Sequence, residues 1–308
     1  NALSTYNFNF KTNPISLGTT IGFLDNANKY SRFFEMSRIQ REGEPTVVEQ
    51  SKVVSELFTK DLKLISNSRE NSMIFFSEEG TEDIFGYRYF NIGEERGLSA
   101  WFSWKVTGNI VYHCMLDDAL YVVVENGTAN KRQLLKYSVK LDTGSHFVTQ
   151  SNVDYPIHLD HSMETNDVVS RQWTYDAATN KTYITRPTGI EKLTDLVAYD
   201  NTNTTTGSNP VQNLGRYGEI TYTSSNNRLN LDGDWSNDRF IIGYNFEMKV
   251  QLPTIYVQRA VGENWRSDTR ADLIIHRIKF SFGDVGVYSI TIDRDNKGSY
   301  TEQIEVNK

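Results

Sequence analysis

Only one cysteine, Cys114, occurs in the 308 residues, so no disulfide within the chain can staple the fold. Proline and glycine are sparse, with 6 and 20 copies, which excludes a collagen-like or linker-dominated chain. No stretch approaches the roughly 20 apolar residues that a membrane-spanning helix needs. Basic residues are the minority: 32 Lys and Arg stand against 39 Asp and Glu, a formal net charge of −7. Proteins that grip nucleic acid neutralise phosphates with a basic surface. This balance argues against such a protein, yet it suits the wall of a passage from which DNA is repelled. Walker A, the dinucleotide fingerprint, the Gly-x-Ser-x-Gly elbow, a CxxC pair and the Ser-x-Asp-x-Gly-x-Thr-Trp box of sialidases are all missing. The five histidines are scattered without a Ser or Cys partner. Neither an initiator Met nor a signal peptide stands at Asn1, so the expectation is a fragment or a processed product.

What is abundant is aromatic side chain: 17 Tyr, 16 Phe and 5 Trp in a chain that is 38% hydrophobic. That is enough apolar surface to build cores, and it excludes disorder for most of the chain. Alternation with period two dominates, the mark of strands with two unlike faces. Ile21–Leu24 and Tyr30–Met36 flank a polar stretch at 25–29 and predict a β-hairpin. Residues 47–58 fit either a short helix, through Val47, Val54, Leu57 and Phe58, or a strand through Lys52–Ser55.

A strand-rich unit then occurs twice. Met73–Phe76 follows a turn at 69–71, and Leu120–Val123 follows a turn at 117–118. The spacing from 73 to 120 is 47 residues, the size of one four-stranded propeller blade, roughly 40–50 residues. The first unit comprises Leu62–Ile65, Met73–Phe76, Ile84–Phe90 and Ala100–Val106. The second comprises Ile110–Leu116, Ala119–Glu125, Gln133–Leu141 and a strand near Phe147–Asn152. A weaker third echo uses Trp173–Tyr175, Thr182–Thr185 and Leu196–Tyr199. A blade cannot bury its apolar faces alone, so a repeat of this size predicts stacked sheets. A β-sandwich is the rival architecture.

Residues 200–210 lack apolar side chains between Asp200 and Pro210 and read as an exposed loop. Beyond it, Phe240–Leu252 alternates up to Pro253, which suits a strand end. Leu273–Phe282, a turn at 283–286 and Val287–Ile292 read as a second hairpin. The fold class expected is therefore all-β, with propeller-like antiparallel blades over residues 1–205 and a smaller β-sandwich-like module over 206–308.

Candidate chemistry is thin. His158, Asp160, His161 and Glu164 group metal-ligand side chains, without the helical i, i+4 His pair of a zinc protease. Asp232, Asp234, Ser236 and Asp238 alternate as calcium loops do, without the central Gly and distal Glu. Asp117 and Asp118 are adjacent, so on a strand they face opposite ways and cannot flank one glycosidic bond. Trp101 and Trp104 are three apart on one strand and so lie on opposite faces, one for the core and one for a neighbour or a sugar. Cys114 sits in the apolar run 110–115 and reads as a buried strand residue. Asn126, Asn180 and Asn203 begin glycosylation sequons and read as polar turns. No catalytic, cofactor or metal residue is assigned, no cofactor is expected, and the chain is read as a non-enzyme.

Six segments in order resemble the tail tubular protein B family, the tail nozzle of short-tailed podovirus bacteriophages. They are Lys29–Met36, Ser68–Glu78, Ser99–Gly108, Met115–Glu125, Ile242–Val257 and Asp268–Ile292. Family members are longer, which implies an internal fragment. The resemblance implies a virion structural protein, a homohexameric ring below the adaptor and portal, in contact with tail fibres and assembled in the host cytoplasm. It implies a propeller-like outer domain and a channel through which double-stranded DNA leaves without specific binding. It carries no catalytic residue. The runner-up class is a glycan-binding or glycan-degrading propeller acting on the host envelope, motivated by the aromatics and by Asp232 and Asp234; a receptor-binding module is third.

Overall fold

The computed structural model describes residues 8–25, 30–37, 45–58, 61–92, 95–126, 131–139, 147–150, 153–156, 159–164, 173–187, 189–200, 216–236, 240–245, 247–252, 255–262, 264–268, 277–279, 288–294 and 297–304. Among the described residues every strand pairing is antiparallel, and the chain divides into two compact units, Asn1–Glu247 and Met248–Lys308.

The first unit begins with a four-stranded meander: β1 (Ile15–Ser16), β2 (Thr20–Asp25), β3 (Arg32–Ser37) and β4 (Val47–Glu49). The expected early hairpin is β2–β3, with Phe23 opposite Phe34. Residues 47–58 hold a strand and a short helix, but Lys52–Ser55, open to a strand reading, lies in the helix, and the strand is Val47–Glu49. β4 pairs with β3, and a 3-10 helix follows over Lys52–Leu57. Ser51 makes the switch: its Oγ accepts the Phe33 backbone N–H at 2.9 Å, holding the chain against β3 while it turns. Non-helical angles at Val54 keep that helix short.

The blade predicted next is present as a meander of β5 (Leu62–Ser68), β6 (Met73–Glu78), β7 (Asp83–Ile92) and β8 (Glu95–Lys105). Both of its faces are buried, which is why β6 reads as continuous Met-Ile-Phe-Phe. Ile74 and Phe76 join a core shared with Leu24, Phe33 and Phe58 from the first sheet. Met73 and Phe75 join a second core with Ile110, Leu120, Val122 and Val124. Side chains one apart on a strand point oppositely, so a single strand stitches two sheet-on-sheet interfaces.

The second blade is β9 (Asn109–Leu116), β10 (Ala119–Asn126) and β11 (Lys131–Ser138), a sheet of three strands. Its expected fourth strand is β12 (Phe147–Gln150), which pairs with β13 (Val153–Pro156) instead. Two residues separate β12 from β13, so that hairpin closes at less entropic cost than a return to β11. Lys131, Arg132 and Lys136 on β11 are the charges that typically guard an edge.

The third echo has a different topology. β14 (Asp160–Glu164), β15 (Thr174–Asp176), β16 (Lys181–Thr185), β17 (Leu196–Asp200), β18 (Tyr217–Glu219), β19 (Thr221–Thr223), β20 (Arg228–Asp232) and β21 (Phe240–Tyr244) form two sheets. Their orders are β14-β21-β17-β18 and β15-β16-β20-β19. The two share one core built from Ile184, Leu196, Ala198, Leu229, Leu231, Trp235, Phe240 and Ile242. Leu196–Tyr199 thus lies in a different sheet from Trp173–Thr185. β17 is apolar at nearly every position, which demands a central place between β21 and β18 rather than a blade edge. These pairings cross residue 205, so the division falls after Glu247 and not at 205/206. Two-sheet packing occurs here, N-terminal to where the sequence places it.

In the second unit the described strands form two hairpins, β22 (Val257–Val261) with β23 (Asn264–Asp268), and β24 (Tyr288–Arg294) with β25 (Lys297–Ile304). The strand expected over 240–252 ends at Tyr244, and Met248–Leu252 belongs to no sheet among the described residues. The loop at 201–210, Asn203, most of 273–282 and the turn at 283–286 lie outside the described residues.

Candidate functional site

The functional geometry of this chain is a set of joints between sheets. The joint between the two blades repeats the 47-residue spacing of the sequence in space. Ser66 Oγ on β5 lies 2.7 Å from His113 Nδ1 on β9, and Asn71 Nδ2 donates to Asp118 Oδ1 at 3.1 Å. Each pair is 47 residues apart, so equivalent positions of successive units touch. Backbone bonds of 2.8 Å, Gly80 N–H to Ile110 O and Ile110 N–H to Thr81 O, fasten the start of β9 to the β6–β7 turn. His113 is buried, and burial pushes its imidazole down to about 4. At neutral pH it is an uncharged hydrogen-bonding spacer.

A second joint ties the first sheet to the blade. Glu35 of β3 is buried and accepts Arg96 of β8 on both oxygens, Thr20 Oγ1 at 2.5 Å and Gln50 Nε2 at 3.2 Å. Gln50 in turn accepts Tyr87 OH at 3.2 Å through its side chain and Trp101 Nε1 at 3.1 Å through its carbonyl. The Arg96 guanidinium lies 4.7 Å from the Tyr89 ring centre. A buried carboxylate is tolerable only with such a full set of donors. Sequence reasoning missed this network, because Glu35, Gln50 and Arg96 carry no motif and lie far apart in the chain.

The candidates singled out from the sequence resolve as follows. Trp101 and Trp104 do face opposite ways: Trp101 packs on Phe58, Phe76 and Tyr87, and Trp104 on Phe75, Phe102 and Tyr137. Both are taken up by cores. Asp117 sits in the β9–β10 turn with a left-handed φ of 51°, and Asp118 is held by Asn71. Asn180 is likewise a left-handed turn residue, at φ 51°, and Asn126 ends β10. Cys114 is half-buried rather than buried, on the outward face of its sheet.

The acidic loop after β20 wraps a tryptophan. Trp235 is buried; its backbone N–H donates to Thr182 Oγ1 and its indole to Asp232 O, both at 2.9 Å. Gly233 holds a φ of 87° in the turn, and its carbonyl accepts Thr182 Oγ1 at 2.7 Å. Arg216 stacks 4.1 Å over the indole and donates to the carbonyls of Asp232 and Asp234. The Asp234 carboxylate caps Ser236, which holds it below the usual carboxylate range. Asp234 Oδ1 is taken up by Ser236, and Asp232 Oδ1 faces Lys181 Nζ at 3.4 Å. Asp238 and His158 lie outside the described residues. Asp160 and His161 sit at a bulge in β14, where burial raises the carboxyl and lowers the imidazole. The His161 ring packs 5.9 Å from Tyr244, whose hydroxyl donates to Lys192 O and is pushed up to about 12 by burial. Among the described residues no three His, Cys, Asp or Glu side chains converge on a metal position, and no described helix is long and apolar enough to cross a membrane.

The sequence model of a family described as bacteriophage nozzle protein matches residues 1–308. No curated protein sequence matches the chain. Among solved structures, a crystal structure of the WD40 β-propeller domain of Doa1 is similar at 10% identity and a TM-score of 0.27. That match covers 59% of this chain and half, 50%, of the other. At that TM-score the all-β architecture rests on the sheets themselves.

Proposed function

The chain belongs to the bacteriophage nozzle protein family, a structural component of the phage tail, and from that premise we propose that it is one subunit of a ring that lines the exit channel of the genome. The observation that carries the reading is the family match over every residue, 1–308. The joints fit it, because the polar side chains they use are spent on contacts between sheets. In this reading the subunit forms a homohexamer, meets the tail adaptor and fibres, is assembled in the host cytoplasm, and passes double-stranded DNA without gripping it. The net charge of −7 supports the last point, since like charge lowers the residence of DNA on a wall.

The glycan reading gains nothing from the acidic loop. Its tryptophan is buried and stacked under Arg216, so it offers no face to a sugar. Negative-stain imaging of the purified full-length protein tests the ring: rings with a central hole are expected. A strictly monomeric protein that is also absent from purified particles overturns the reading, and release of reducing sugar from host envelope polysaccharide, lost on Asp234→Ala, replaces it.

A further inference from the structure

A run of exposed apolar side chains alternates along one short stretch of the second unit. Met248, Val250 and Leu252 are 81%, 68% and 63% exposed, and Lys249 and Gln251 alternate with them. Ile255 and Tyr256 continue the exposed apolar series. This is the pattern of a half-buried strand with neither a sheet nor a core among the described residues. On the β24–β25 hairpin of the same unit, Ile292 and Tyr300 are also exposed. A two-stranded hairpin is marginal in water by itself, and a third strand with an apolar face is what stabilises it. Among the described residues the unit thus holds an alternating apolar segment outside any sheet and two hairpins without a third strand.

Charge points to what supplies them. Residues 248–308 hold 9 Lys and Arg against 8 Asp and Glu, net +1. The chain totals are 32 and 39, which leaves 23 and 31 for the first unit, net −8. Copies repel through their first units, whereas the second units, nearly neutral with interspersed signs, approach one another without that penalty. We propose that the segment Met248–Leu252 is the contact strand between copies of this chain, burying Met248, Val250 and Leu252 against the second unit of a neighbouring copy. The partner is a second copy, and the inference rests on the ring reading above while assigning its contact to one segment.

The test uses the full chain in three forms: wild type, Val250→Lys with Leu252→Lys, and Leu134→Lys as a control on another exposed apolar surface, the outward face of β9–β11. Sedimentation velocity across a concentration series reads association, and amide exchange reads protection of residues 248–252. Wild type is expected to assemble with these amides protected. The double variant is expected to associate roughly tenfold more weakly or worse, from the apolar burial lost, with exchange in β6 unchanged. Leu134→Lys is expected to assemble as wild type does. Assembly of the double variant at wild-type strength, or free exchange at 248–252 inside the wild-type assembly, overturns the contact and leaves the ring reading standing. Loss of assembly with Leu134→Lys alone moves the contact to β9–β11 and overturns it too. A wild type that never assembles overturns both.

Discussion

His113 shows how much one side chain can report. Its imidazole is pushed from an ordinary 6.5 down to about 4 by burial at the joint between the blades. Above 6.5 both folded and unfolded chains carry it neutral, so it adds no pH dependence there. Between 6.5 and about 4 only the unfolded chain binds the proton, and stability falls as pH drops through that window, by roughly 3 kcal/mol in all. His113→Asn removes the titration and is expected to flatten that part of a denaturation-midpoint profile relative to wild type. An unchanged slope contradicts the assignment. Glu35 and Arg96 make a second residue-scale case. Removing Arg96 strands the buried Glu35 carboxylate, so Arg96→Met is expected to cost about 3–5 kcal/mol; Glu35→Leu leaves a partly exposed Arg96 and costs less, and the double variant costs less than the sum of the two. Urea denaturation of the four proteins checks this; additive losses argue that the pair is not coupled.

Elements tell where the sequence was readable. β6 was legible because both its faces are buried and its four apolar residues admit no other placement. The opposite facing of Trp101 and Trp104 followed from an odd spacing alone. The joint was half legible: the 47-residue offset was visible, but that Ser66 would meet His113 depends on how the sheets stack. β17 was misplaced because its pattern, apolar nearly throughout, states burial and says nothing of which sheet buries it. The strand β12 was found and its partner was not, since pairing is set by loop closure rather than by side-chain pattern. Gly86 is a position only the structure explains: a Cβ there would lie 2.0 Å from the Phe102 ring opposite it in β8. Gly86→Val is therefore expected to cost about 1–3 kcal/mol through overpacking, read as a lower thermal midpoint. A neutral Gly86→Val contradicts the close packing of that face. Phe76→Ala empties the core between the first sheet and the blade and is expected to cost about 3–5 kcal/mol.

At the scale of the molecule, the described residues form three sheets stacked through two apolar interfaces, a two-sheet body, and a second unit of two hairpins. Among the described residues no three His, Cys, Asp or Glu side chains converge at the acidic loop or the β14 bulge, and the family is a structural one. The most direct measurement is a cryo-electron reconstruction of the intact tail from particles that carry this chain. The account predicts ring density around the exit channel into which the β1–β4, β5–β8 and β9–β11 stack fits as one body, with residues 248–252 at the seam between neighbouring subunits. Density for the chain outside the tail, or its absence from the particle, contradicts the account.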